Sequence, residues 1–129
     1  MTNMKKNAIN WFEIYVSDFN RARTFYQTIL EEKLEESIHG PCHMGMFPCD
    51  CNCENGGIGG AIVKMEGYSG KPGGTMVYLN VEGQLDAVIA RIPTAGGKIH
   101  QGRMSIAPHG FIAIFEDTEG NINGLHSMT

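Results

Sequence analysis

The sequence predicts an α+β protein made of two tandem βαβββ modules, whose curved, mixed sheets form a cup. Segments rich in β-branched and aromatic residues alternate with stretches of helical periodicity. The order strand, helix and three further strands occurs twice along the chain. A constant offset of 65 residues aligns the two halves without a gap, so that Trp11 maps onto Met76 and Gly59 onto Gly124. We therefore treat residues 1–129 as one domain with modules at about 8–65 and 75–127.

The first module opens with a predicted strand at about Ile9–Val16. Side chains alternate between the faces of a strand, so Glu13 shares one face with Trp11 and Tyr15, while the opposite face is apolar. Ser17, Asp18 and Asn20 are candidate caps for the helix that follows. Apolar residues at helical spacing then predict a helix ending near Leu30. Strands are predicted at 34–38 and 59–65, with a short apolar piece at 44–47 between them.

The second module repeats this order after the glycine-rich segment 66–74, which we interpret as the linker. A strand is predicted at 75–81 and a helix at 85–92 that ends near Pro93. Strands are then predicted at 98–101, 111–115 and 122–127.

The composition excludes several classes of function. The chain has 129 residues, a net charge of -4 and no long basic cluster, which disfavours nucleic-acid binding. No apolar run approaches the ~20 residues of a membrane helix. The basic start of the chain precedes no apolar segment, so we expect a cytoplasmic protein. In a reducing cytosol we expect Cys42, Cys49, Cys51 and Cys53 to be unpaired thiols. Zinc binding by these cysteines with His39 and His43 is the disfavoured alternative, because the spacing is atypical.

Three stretches of the sequence carry a family resemblance. They are "INWFEIYVSDFNRARTFYQTIL", "TMVYLNVEGQLDAVIARIPTAGGKI" and "FIAIFEDTEGNINGLH". In combination they resemble the vicinal oxygen chelate superfamily, which includes glyoxalase I, bleomycin-resistance proteins, fosfomycin-resistance enzymes and extradiol dioxygenases. Within it, the chain looks most similar to small bacterial glyoxalase-like proteins that carry "WFEIYV" and "GLHSM" at their two ends. The resemblance implies the cup-forming fold and extends over residues 8–127.

The resemblance also implies four metal-ligand positions, on the first and last strands of each module. In metal-using members these positions hold His, Glu or Gln, and the bound divalent cation acts as a Lewis acid. Aligning the motifs places Trp11, Gly59, Met76 and Gly124 there. Since none of these side chains suits a hard or borderline cation, we expect no metal cofactor.

Polar side chains are expected two residues further along the same strands. Glu13, Tyr78 and His126 occupy these positions together with Ala61. The predicted ligand-binding residues are Trp11, Glu13, Tyr15, Met76, Tyr78, Asn80 and His126. Two alternatives stay open for Glu13 and His126: a buried hydrogen-bonded pair, or displaced metal ligands that need a third ligand.

The predicted function is the binding of a small organic ligand in the sheet-lined cup without the standard metal. The alternative is a lyase, isomerase or dioxygenase of the same superfamily, with Glu13 as general base and His126 or Tyr78 as its partner. A third possibility is a dimeric interaction module without a ligand. Open sheet edges favour a homodimer, and the sequence leaves open whether the cup lies within one chain or across two.

Overall fold

The computed structural model describes residues 7–49, 57–65 and 74–129. Within these residues the chain forms eight strands and two helices, in the predicted order of one strand, one helix and three strands, twice over. The elements are β1 Ile9–Tyr15, α1 Phe19–Leu30, β2 Glu35–His39, β3 Cys42–Met46, β4 Gly59–Met65, β5 Thr75–Asn80, α2 Leu85–Thr94, β6 Lys98–Ser105, β7 Phe111–Glu116 and β8 Ile122–Ser127. The predicted α+β class with two βαβββ modules is therefore confirmed.

By its contacts the chain divides into two compact units. The first unit is Trp11–Met76, and the second combines residues 7–10 with Val77–Thr129. The division crosses β1 and β5, so it does not follow the predicted module boundaries. The start of β1 belongs to the second unit, where the backbone N–H of Asn80 donates to the Ala8 carbonyl at 2.8 Å.

The first unit has the strand order β2-β3-β4-β1, with β1 parallel to β4 and the other pairs antiparallel. Its helix begins where the Asp18 carboxylate accepts a hydrogen bond from the Arg21 N–H at 3.0 Å, so Asp18 is the cap among the three predicted candidates. The unit's core contains Phe19, Leu34 and Ile62. Ile14 of β1 packs against this core, which places the even-numbered face of β1 toward α1.

The second unit has the strand order β5-β8-β7-β6 and a core of Leu85, Ala113 and Leu125 under α2. The helix runs two residues beyond the predicted end at Ile92 and includes Pro93 in its last turn, where proline cannot donate a backbone hydrogen bond. Strand β6 is also longer than predicted, and shifts of register interrupt its pairing with β7 on either side of Gln101. Among the residues described, no helix is long and apolar enough to cross a membrane.

The constant offset between modules fails at the pairing of β5 with β8. In the first unit Trp11 lies opposite Gly59, as the offset requires. The offset then places Met76 opposite Gly124, but Gly124 lies opposite Tyr78. The pairing differs by two residues, which keeps the predicted face and moves each side chain by one pleat. The order of the elements therefore repeats while the register between strands does not.

Candidate functional site

The carboxylate of Glu13 is held between two aromatic side chains of its own strand. Trp11 donates its Nε1–H to Oε2 at 3.1 Å, and Tyr15 donates its hydroxyl to Oε1 at 2.6 Å. Because these residues alternate with the ones that pack toward α1, all three lie on the sheet face directed away from that helix. The acid between two aromatics in the sequence is thus oriented by both of them.

We call this surface the Glu13 face, defined by Trp11, Glu13, Tyr15 and the residues beside them in the register. Ala61 lies opposite Glu13 in β4, and Met46 lies opposite Ala61 in β3. The other members from β3 and β4 are Cys42, Met44, Gly59, Val63 and Met65. The sulfur of Met76 lies 3.4 Å from the Tyr15 hydroxyl oxygen. One carboxylate therefore lies in a surface of thioether and aliphatic groups.

The depth of burial differs across the Glu13 face. Tyr15, Ala61 and Met76 are buried, whereas Trp11 and Glu13 are half-buried. Ala61 thus belongs to the buried layer, and Trp11 and Glu13 are partly exposed.

Cys42 is a free thiol on the Glu13 face. Burial and, to a smaller extent, the negative charge of Glu13 raise its pKa from 9.0 to about 11. A thiol with so high a pKa is protonated at neutral pH, which argues against the cysteine nucleophile that the adjacent Cys42 and His43 could suggest.

The four positions expected to hold a metal do not fit one. Trp11 offers an indole N–H, which already donates to Glu13, and Met76 offers a soft thioether, which does not suit a hard or borderline cation. Gly59 and Gly124 have no side-chain donor, and a Cβ added at Gly124 would overlap the ring of Tyr78. Within ranges 7–49, 57–65 and 74–129, no group of three His, Cys, Asp or Glu side chains could hold an ion.

His126 uses both of its ring nitrogens inside the second unit. Nε2 lies 2.7 Å from the backbone carbonyl of His109, which can only accept, so Nε2 carries the proton. Nδ1 then accepts from the side-chain amide of Asn10 at 3.0 Å. The ring has no nitrogen left for the predicted hydrogen bond to Glu13 or for a metal, and it holds the loop at His109 against β8.

The seven predicted ligand-binding residues separate into two groups. Trp11, Glu13, Tyr15 and Met76 come together in the first unit. In the second unit Asn80 lies opposite His126 and Tyr78 lies opposite Gly124. Asn80 donates its side-chain amide to the Asn7 carbonyl at 3.1 Å, and Tyr78 is buried.

Residues 8–125 match the family model described as the Glyoxalase/Bleomycin resistance protein/Dioxygenase superfamily. The chain belongs to this superfamily. No curated protein matches it closely enough to be reported. The superfamily assignment confirms the family that the three sequence stretches indicate.

Solved structures with the same fold cover almost the whole chain. The methylmalonyl-CoA epimerase of Mycobacterium tuberculosis is 17% identical with a TM-score of 0.67, over 95% of this chain and 88% of that one. A substituted Streptomyces coelicolor methylmalonyl-CoA epimerase bound to 2-nitronate-propionyl-CoA is 14% identical with a TM-score of 0.64, over 93% and 96%. A Legionella pneumophila structure described as an NAD-dependent benzaldehyde dehydrogenase is 15% identical with a TM-score of 0.55, over 93% and 99%. At these identities the likeness shows the superfamily fold alone.

The cysteine-rich segment differs from the expectation at one position. Cys49 is disulfide-bonded, so the prediction that all four thiols are unpaired is wrong there. Cys51 and Cys53 lie outside the described residues. His39 contacts the Ser37 hydroxyl at 2.8 Å, and His43 contacts Glu36 and stacks on Phe19. These histidines are thus engaged in the sheet rather than converging with Cys42 on an ion.

Sequence reasoning missed Cys42 as a member of the Glu13 face, and Asn10 and His109 as partners of His126. Alternation along β3 places Cys42, Met44 and Met46 on one side, which the sequence could have shown. The pairing of these β3 residues with β4 could not be predicted from the sequence. The Asn10 contact spans 116 positions and the His109 contact uses a backbone oxygen, so neither leaves a local pattern.

Proposed function

We propose that this superfamily member binds a small organic molecule on the Glu13 face, with Glu13 as the polar anchor and without the usual divalent metal. The observation that carries the proposal is the Glu13 carboxylate, which Trp11 and Tyr15 orient on a face whose other described members from β3 and β4 are mostly methionine and aliphatic residues. Sites for small molecules are mostly apolar, with a few placed polar groups that fix orientation.

The residue types around Glu13 suit this role. Methionine is flexible and polarisable, so Met44, Met46 and Met65 can adapt to the shape of an apolar ligand.

The absence of a metal from this function is supported by the chemistry of Trp11, Gly59, Met76 and Gly124. Elemental analysis of the purified protein should find no stoichiometric Zn, Mn, Fe, Ni or Mg, and dialysis against EDTA should leave the melting temperature unchanged. A structural metal would behave differently, since its binding energy contributes to folding. Stoichiometric metal whose removal lowers the melting temperature would contradict the proposal.

Ligand binding can be tested with the one tryptophan of the chain as the probe. After EDTA dialysis, titration with the neutral probe 4-phenylbutanol should change Trp11 emission saturably. The Glu119→Gln variant, altered at an exposed turn position, should behave as the unaltered protein does. A response that stays linear to millimolar concentration in both proteins would contradict binding at this face.

An isomerase activity is the second candidate, favoured by the oriented Glu13 carboxylate and by the epimerases among the structural neighbours. Tyr15, rather than His126, would be the partner of Glu13, because both His126 nitrogens are engaged. Incubation with methylmalonyl-CoA in D2O tests it. Deuterium uptake at the α-carbon that is lost in Glu13→Gln would favour this activity, and uptake no faster than without protein would exclude it for that substrate.

A further inference from the structure

We propose that the Cys42 end of the Glu13 face binds a soft monovalent metal ion, Cu(I), through three sulfur atoms. The ligands are the thiol of Cys42 and the thioethers of Met44 and Met65, which we call the sulfur triad. Thiolate and thioether sulfurs are soft ligands, and Cu(I) is a soft ion that they select. The site is separate from the proposed organic-ligand site, and it requires neither the charge of Glu13 nor that ligand.

The strand register brings the three side chains of the sulfur triad to one place on one face. Cys42 of β3 lies directly opposite Met65 of β4, and Met44, two residues along β3, is the diagonal neighbour of Met65. In antiparallel pairs, opposite residues have Cβ atoms about 4.5–5.5 Å apart and diagonal ones about 7–8 Å apart, within reach of long side chains. His43 stacks on Phe19 on the other side of the sheet, so strand alternation places its two neighbours in β3 on the Glu13 face.

The sulfur triad is accessible and adaptable. Cys42 is a free thiol, and all three side chains are half-buried, so an ion from solvent can reach them. Methionine has three rotatable bonds, which let its sulfur turn toward an ion without a change of the backbone. His39 of β2 lies on the other side of Cys42, but its Nε2 contacts the Ser37 hydroxyl at 2.8 Å, so the proposal uses only the sulfurs.

Binding at the sulfur triad exchanges a proton for the metal ion. Cys42 is a protonated thiol at neutral pH, because burial raises its pKa. Coordination breaks the Sγ–H bond, passes the proton to water and forms a metal–sulfur bond, while each thioether donates a lone pair. Counted over these three ligands, the site is neutral with Cu(I) and carries one positive charge with a divalent ion. A neutral site costs less at half-buried side chains, which favours the monovalent ion.

The first test follows the methionine methyl groups of the unaltered protein, labelled with 13C and assigned by triple-resonance NMR, during anaerobic titration with Cu(I). The signals of Met44 and Met65 should move saturably. Met104 and Met128 are exposed thioethers of the second unit and serve as internal controls, so their signals should stay in place. In Cys42→Ser, the signals of Met44 and Met65 should also stay in place.

The second test follows Cys42 alone, as protection of its peptide from iodoacetamide by Cu(I) buffered with bicinchoninate. Met65→Leu keeps the volume of the side chain and removes the sulfur. Loss of a partner in the outer shell of a metal site costs about 10- to 100-fold in affinity, so loss of a ligand should raise the Cu(I) concentration for half protection at least ~10-fold. The control Met104→Leu should leave that concentration unchanged.

Three outcomes would overturn the sulfur triad as a Cu(I) site. Signals of Met104 and Met128 that move as much as those of Met44 and Met65 would show that any exposed thioether binds. Protection of Cys42 that Met65→Leu leaves unchanged would show that the thiol acts alone. Tighter protection by Zn(II) than by Cu(I) would contradict the preference for a soft monovalent ion. Melting temperatures check that the variants are folded, and the spectra of the unaltered protein decide the first outcome without any variant.

Discussion

The coupling between Glu13 and Cys42 gives a quantitative test of the site that needs no ligand. With a pKa of about 11, Cys42 is about 0.1% thiolate at pH 8, against roughly 10% for a thiol with the ordinary pKa of 9.0. The thiolate is the nucleophile, so its population falls about 100-fold. A thiolate of higher pKa is also a stronger nucleophile, by about 8-fold for this difference in pKa. The net result is that Cys42 should be alkylated roughly 10-fold more slowly in the folded protein than in the unfolded chain.

The perturbation is Glu13→Gln, which removes the charge and keeps the size and the hydrogen-bonding capacity. Removing a negative charge beside a thiol stabilises the thiolate and lowers its pKa. Burial is the larger cause of the raised pKa and persists in the variant. We therefore expect a moderate increase in alkylation rate at pH 8, of about two- to fivefold.

The assay is iodoacetamide labelling between pH 7 and 10, with the Cys42 peptide quantified by mass spectrometry so that the other cysteines do not contribute. The control variant Glu119→Gln also removes one carboxylate, and it should leave the alkylation rate of Cys42 unchanged. An unchanged or slower rate in Glu13→Gln, with its melting temperature preserved, would refute the electrostatic contact and the Glu13 face as described.

Four further predictions follow from the structure. Gly124→Ala should cost about 1–3 kcal/mol of unfolding free energy because its Cβ overlaps the Tyr78 ring, whereas Gly102→Ala, with open space around it, should be near neutral in chemical denaturation. Asp18→Ala should cost about 1 kcal/mol by loss of the α1 cap, measured the same way. Because the Cys42 thiol holds its proton more tightly in the folded protein than in the unfolded chain, its contribution to the free energy of unfolding is complete below pH 9 and is lost as the pH rises toward 11. The free energy of unfolding of Cys42→Ser should therefore fall by about 1 kcal/mol less over this pH range than that of the unaltered protein. Light scattering should give a homodimer of the 14.1 kDa chain, and a monomer mass at micromolar concentration would contradict it.

Local patterns predicted the elements and the composition of the Glu13 face well. The bounds of β4 and β8 match the prediction, because a glycine-containing turn segment precedes each strand in the sequence. The shared face of Trp11, Glu13 and Tyr15 follows from strand alternation alone. A change of local structure could not have moved Glu13 off that face without breaking the packing of Ile14 on the opposite side.

Features that depend on distant partners could not be predicted. The two-residue difference between the Trp11–Gly59 and Tyr78–Gly124 pairings is set by how β8 packs, and either register keeps the same faces. The partners of His126 are remote in sequence or belong to the backbone. The disulfide at Cys49 could not be predicted either, because sequence spacing alone does not show that two sulfurs lie at bonding distance.

The central claim, that a ligand binds beside Glu13 without a metal, is tested most directly at the indole N–H of Trp11. The chain has one tryptophan, so a 1H–15N spectrum contains a single indole signal, and this N–H donates to the Glu13 carboxylate. In EDTA-dialysed protein, 4-phenylbutanol should move that signal saturably, with little movement in Glu13→Gln. A signal that stays in place in EDTA-dialysed protein, or moves only after a divalent metal is added, would contradict the account.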